Sequence, residues 1–238
     1  ISACLVGSEM CIRDRTYVLL IIGMLLSLAA STRLKSTFSY YRRIRSASGL
    51  TGAETAERIL RAAGITDVHV RAISGSLTDH YDPRTKTVSL SEDIYDKTSL
   101  AAVGVAAHEC GHAIQHAIGY APLEFRSAIV PVANFGSTLS WPLFLIGLFS
   151  GIRPLVTAGI VLFSLAVLFQ LVTLPVEINA SSRALKMLQS TGILGSDETK
   201  GARKVLTAAA MTYVAALAAS ILQLLRLLIL AGGRRRDE

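Results

Sequence analysis

Four long apolar runs, at residues 17–30, 127–149, 155–176 and 205–230, constrain this chain more than anything else in its sequence. About 20 apolar residues suffice to cross a bilayer as a helix. In hydrocarbon a helix satisfies its backbone N–H and C=O groups within one segment, so such runs predict helices. The first run has 14 residues and reaches spanning length through Thr16, Ser31 and Thr32. A cleaved signal peptide is the alternative, but the basic residues Arg33 and Lys35 follow the run and no small-residue cleavage site is evident. Residues 150–154 tightly connect the second and third runs, which predicts a transmembrane hairpin. Arg226 interrupts the fourth run near its far end, where a long side chain can snorkel to the interface.

Composition agrees: of 238 residues, 51% are hydrophobic and 17% charged, apolar for a soluble domain. The net charge of +7 would suit nucleic acid, but the Lys and Arg residues crowd beside the apolar runs, as bilayer anchors do. Nucleic acid is therefore not an expected partner. Three cysteines, Cys4, Cys11 and Cys110, have no metal-site spacing and form no disulfide framework. Cys110 reads as a small buried thiol. Residues 1–15 fit nothing that follows and read as a non-native leader, which removes Cys4 and Cys11 from the fold argument.

Between the first two spans, the sequence reads as a small α+β part. Residues 36–45 are basic and aromatic, expected as a helix along the headgroups. Residues 51–63 carry Ala53, Ala56, Ile59, Leu60 and Ala63 on one side of an amphipathic helix that Gly64 ends. Residues 68–73 and 86–90 alternate as strands, separated by turn signals at Gly75 and Asp82-Pro83. Ser91 and Ser99 are candidate N-caps, and residues 100–118 form one Ala-rich helix. The expected organisation is a leader at 1–15, an anchor at 16–32, the soluble part at 33–126, the hairpin at 127–176, a helix and loop at 177–204, the last span at 205–231 and a charged tail at 232–238.

Chemistry concentrates in His108-Glu109-Cys110-Gly111-His112. Histidines four apart lie one turn apart on one helix face, so both imidazoles can reach one ion. Glu109 projects beside that ion, where it can take a proton from water whose pKa zinc has lowered to about 7. This is the metalloprotease use of the pattern. The alternative, two polar members of a core face, leaves His108, Glu109 and His112 buried in an apolar helix with nothing to offset their desolvation.

A catalytic zinc keeps three protein ligands and an open position. His116, eight residues past His108, sits about 12 Å further along the axis, too far for a shared ion, and reads as a supporting contact or a plain helix residue. Positions three and six past His112 are Gln115 and Ile118, so a third histidine ligand of the metzincin kind is absent. Glu177 is the candidate third ligand. The hairpin returns the chain to the side of His108, and Glu177 stands where the third span ends, a charge that needs a reason to be there. An interfacial carboxylate facing headgroups is the alternative. Glu124 is too close to the zinc helix in sequence, and Asp197 and Glu198 fall in a loop that reads as solvated.

The run Leu77-Thr78-Asp79-His80-Tyr81-Asp82-Pro83, then Ala107-His108-Glu109, then Glu177-Ile178-Asn179-Ala180-Ser181, resembles the YugP-type neutral zinc metallopeptidases. The resemblance covers roughly residues 17–230. That family is similar in layout to the HtpX and prenyl-protein membrane peptidases, in which a zinc-binding Glu opens a Glu-x-x-Ala-Asp motif. By that resemblance Glu177 matches the Glu and Ala180 the Ala, while Ser181 stands where Asp would orient a zinc histidine. Asn179 is the first candidate for that contact, with His116 and Arg183 as further supporting residues. The resemblance also implies that residues 86–90 form an edge strand beside the zinc helix, open to strand addition by a peptide. Asp79, His80 and Tyr81 could line the cleft, and Arg183 and Tyr213 are candidate oxyanion stabilisers.

The sequence thus predicts a mainly α multi-pass membrane protein with a gluzincin-like core and a small β element. Its expected function is that of a zinc-dependent endopeptidase whose partners are a peptide or protein substrate and the lipid bilayer. Rival readings are a site-2-type intramembrane protease, a zinc-binding scaffold or chaperone without turnover, and a channel or transporter. The last is disfavoured by the lack of paired ionisable residues along the spans. Arg33, Lys35, Arg42, Arg43, Arg45, Arg183, Lys186, Arg203 and Lys204 put the catalytic face in the cytoplasm, against Arg234, Arg235 and Arg236 on the other side.

Overall fold

The structure is a computed structural model that describes the backbone of residues 2–233 and the side chains of residues 16–232. The side chains of the leader expected at 1–15, and Arg234–Arg236 of the tail, lie outside the described residues. The elements are α1 (Ser2–Tyr41), α2 (Gly52–Ala62), β1 (His69–Ile73), β2 (His80–Asp82), β3 (Thr87–Ser91), α3 (Leu100–Ala117), α4 (Ala121–Ser150), α5 (Arg153–Ser190) and α6 (Ser196–Gly233). Among the described residues, four helices are long and apolar enough to cross a membrane, and the chain is a mainly α multi-pass membrane protein.

The chain divides into two compact units, one of Ile1–Ala30, Phe125–Thr173 and Thr212–Glu238, the other of Ser31–Glu124 and Leu174–Met211. The division falls within α1, α4, α5 and α6. The first unit turns apolar side chains outward, Phe135 and Phe149 being 66% and 83% exposed, as a surface facing lipid tails does. Small residues let its helices approach. A Cβ on Gly159 of α5 would come within 2.8 Å of Ser140 O on α4, and Gly23 of α1 faces Ala219 of α6. The α4–α5 turn passes through Gly151, whose φ of +73° a side chain would strain.

The second unit is built around one buried apolar cluster. Thr51 caps α2 in a capping box: its hydroxyl accepts from Glu54 N, and the Glu54 carboxylate accepts from Thr51 N at 2.8 Å. Ala56, Ile59 and Leu60 on the buried face of α2 pack into one cluster with Phe38 of α1, Val88 and Leu90 of β3, Val103 and Ala107 of α3, Leu188 of α5 and Val205 of α6. Ser99 Oγ accepts from Ala102 N at 3.2 Å and starts α3.

Several expectations are corrected. The strand predicted at residues 86–90 is not an edge. The sheet order is β1-β3-β2, with β3 parallel to β1 and antiparallel to β2, so β3 is central and wholly buried. Its outer neighbour β2 comes from three residues for which no strand was expected. Ser91 caps no helix; it ends β3, where its N–H and hydroxyl bond Asp79 at 2.7 and 3.0 Å. The helix expected at residues 36–45 is the end of α1 as far as Tyr41, and its Phe38 is buried in the second unit's core. Asp197 and Glu198 stand in the first turn of α6, where the Glu198 carboxylate accepts from Ala47 N at 2.7 Å and from Gly195 N at 3.3 Å.

Candidate metal centre

α3 runs through the second unit's core, and its Ala-rich sequence allows close packing on several sides: Ala101, Ala102, Ala106 and Ala107 are fully buried. His108 and His112 stack one turn apart, ring centroids 4.8 Å apart and planes at 85°. α5 continues without a break through Pro175 to Ser190, so Glu177 sits on a helix rather than at the start of a new one. The Glu177 side chain is buried, and its Oε2 lies 3.2 Å from His108 Nε2 and 3.5 Å from His112 Nε2.

Gly111 makes this approach possible. A Cβ there would lie 2.5 Å from Ala180 O and 3.0 Å from Ala180 C, so α3 and α5 touch backbone to backbone beside the motif. A mid-helix glycine destabilises by about 1 kcal/mol relative to alanine, which signals a packing need. Nothing in the sequence names the facing residue.

The residues fit a zinc ion. The three ligand atoms all lie within 4.8 Å of one another, and the two imidazole nitrogens and one carboxylate oxygen are donors zinc takes. With bonds near 2.05 Å, tetrahedral ligand atoms stand roughly 3.3 Å apart. The observed 3.2 and 3.5 Å bracket that separation.

Both histidines are held from behind. Ser181 Oγ is 3.1 Å from His108 Nδ1, so the residue that departs from the motif of the similar peptidases makes the contact itself. His112 Nδ1 is 3.0 Å from Gln115 Oε1. Gln115 is fully buried and donates through Nε2 to Val176 O at 2.9 Å and to Asn179 Oδ1 at 3.0 Å. Asn179 therefore touches Gln115, not an imidazole, and Arg183 Nε donates to Asn179 Oδ1 at 2.7 Å while its guanidinium lies 5.8 Å from the centre of the Tyr120 ring. His116 stands apart, its Nδ1 2.8 Å from the Tyr81 hydroxyl. Tyr213 falls in the other unit. Sequence reasoning missed Gln115, although its i+3 spacing from His112 puts the two on one face.

Glu109 is buried, and its carboxylate has no hydrogen-bond partner among the described residues. Burial pushes its pKa up; His108 and His112 pull it back, and Glu177 and Asp79 add to the rise. Burial disfavours the charged form of His112, but the hydrogen bond to Glu177 and the charges of Glu109 and Glu177 outweigh it and raise its pKa. Burial pushes the Cys110 thiol upward, as suits an inert core group.

No solved structure matches this chain. A protein of Bacillus subtilis (strain 168) named "Putative membrane protease YugP" is 49% identical over 220 residues, covering 92% of this chain and 98% of that one. Residues 16–232 match the family described as "Putative neutral zinc metallopeptidase". With the match spanning the His108–His112–Glu177 cluster and the apolar helices alike, the chain belongs to that family.

Proposed function

We propose that the protein is a membrane-bound, zinc-dependent endopeptidase of the gluzincin kind, with His108, His112 and Glu177 holding the metal and Glu109 as general base. One observation carries the reading: a carboxylate from α5 lies 3.2 and 3.5 Å from the two α3 imidazoles, near tetrahedral ligand spacing, beside a buried glutamate with no hydrogen-bond partner among the described residues. Zinc bound there supplies Lewis acidity, which lowers the pKa of water to about 7 and polarises a peptide carbonyl. Glu109 Oε takes the proton from the attacking water and delivers it to the leaving amine. Burial raises its pKa, which makes this carboxylate a stronger base than an exposed glutamate.

An extended peptide can pair with an edge strand of the sheet. β2 is the edge that reaches α3, through Tyr81 and His116, so it replaces the 86–90 strand in this role. The excess of Lys and Arg flanking the spans on the catalytic side favours a cytoplasmic face, which protease protection of the second unit in sealed vesicles would check.

The deciding experiment compares wild type with Glu109→Gln in detergent on a denatured membrane protein substrate, with bound zinc measured in both. Retained zinc with a rate about 10²–10⁴-fold lower is expected. Equal cleavage by the two would remove catalysis from this site, and no cleavage by a zinc-loaded wild type would favour a scaffold or chaperone.

A further inference from the structure

We propose that Gln115 is the positioning residue that fixes His112 in the tautomer a metal needs, its own amide being held by Val176 and Asn179, the latter oriented by Arg183. The inference rests on the zinc reading above. A neutral imidazole carries its proton on Nδ1 or Nε2, and only the Nδ1–H form offers an Nε2 lone pair to an ion.

The polarity of the chain behind His112 is dictated from both ends. Val176 O can only accept, so the Gln115 nitrogen must face it, at 2.9 Å. Arg183 Nε can only donate, so Asn179 must present Oδ1 to it at 2.7 Å, and the same Oδ1 receives Gln115 Nε2 at 3.0 Å. Both constraints turn Gln115 Oε1 toward His112 Nδ1, 3.0 Å away, and an oxygen there requires a hydrogen on Nδ1. Reversing the Gln115 amide would oppose its oxygen to two acceptors in a fully buried place. His108 has no such lock: the Ser181 hydroxyl 3.1 Å from its Nδ1 can donate or accept. The two histidines are therefore held unequally, and Gln115 supplies the directional contact that the serine does not.

The test uses the full chain in detergent, zinc affinity measured by competition with a chromophoric chelator, and thermal unfolding of the metal-free protein. Gln115→Met keeps the volume and removes the acceptor; zinc affinity is expected to fall about 10–100-fold. Gln115→Glu keeps the acceptor toward His112 Nδ1 but sets a second oxygen against Val176 O and Asn179 Oδ1, so it is expected to lower the Tm of the metal-free protein and still to bind zinc more tightly than Gln115→Met. Ser181→Ala should likewise weaken zinc less than Gln115→Met. Wild-type affinity in Gln115→Met, or equal losses in Gln115→Met and Gln115→Glu, would overturn the assignment, the second because it leaves a packing role alone. Should Gln115→Met fail to fold, imidazole ¹⁵N NMR of the zinc-loaded wild type decides. Slower solvent exchange of the His112 Nδ1–H than of the His108 Nδ1–H is expected, and equal exchange overturns the proposal. A wild type that binds no zinc would remove the metallopeptidase reading itself, and this inference with it.

Discussion

Replacing Gly111 by alanine tests whether the backbone contact between α3 and α5 sets the metal centre. The added Cβ would sit 2.5 Å from Ala180 O, and ordinary contact begins at 3.4 Å, so the helices must separate by about 0.9 Å. Neither partner can rotate away, because the obstacle is main chain. Overpacking of this kind destabilises by about 1–3 kcal/mol, offset by up to about 1 kcal/mol from the better helix propensity of alanine. For a domain of this size each kcal/mol lowers Tm by roughly 2–4 °C. The larger consequence is local. Glu177 is three residues from Ala180 on α5, and metal–ligand distances tolerate about 0.2 Å, so a shift of that size opens the Glu177–imidazole spacing beyond what one ion bridges. Gly111→Ala should therefore lose at least about tenfold in zinc affinity, measured by chelator competition, with a modest fall in Tm by differential scanning fluorimetry. A variant that binds zinc as tightly as wild type would refute the argument that this contact positions the carboxylate.

Three further outcomes follow from the geometry. Glu177→Ala should abolish stoichiometric zinc in metal analysis, whereas Glu109→Gln should retain it; zinc-loaded Glu177→Ala would point to a different third donor. The Tyr81 phenol is pushed up to about 12, chiefly by burial, with Asp67 and Asp82 adding to it. Because the folded pKa is raised, its contribution to stability is present below about pH 10 and lost as pH rises toward 12. Absorbance at 295 nm should show a late-titrating tyrosine that disappears in Tyr81→Phe. Thr51→Ala removes both the side-chain acceptor and the box that caps α2, and should lower stability by about 1 kcal/mol in chemical unfolding of the second unit's core.

Relations within one helix were legible in the sequence. The i, i+4 spacing of His108 and His112 fixes their shared face wherever α3 goes, and the apolar runs specify helices because hydrocarbon allows little else. Gly64 and Ser99 announced their helix ends by local chemistry. Glu177 drew attention as a carboxylate at the end of an apolar run, and it stands 69 residues from the histidine it meets.

What depended on tertiary structure was every choice of neighbour. β2 is a three-residue strand of polar sequence, ordered by pairing with β3 rather than by its own propensity, and its arrival makes β3 central. The expected boundary at 176/177 does not interrupt the helix: α5 runs from Arg153 to Ser190 with Pro175 inside it. Gln115 and Gly111 carry no signal of their partners, Val176, Asn179 and Ala180, because those contacts exist only once α3 and α5 cross. The sequence by itself determined which side chains share a helical face, since backbone geometry repeats every 3.6 residues. The fold decided which faces meet, because that is settled by packing between segments far apart in the chain, where no local periodicity reaches.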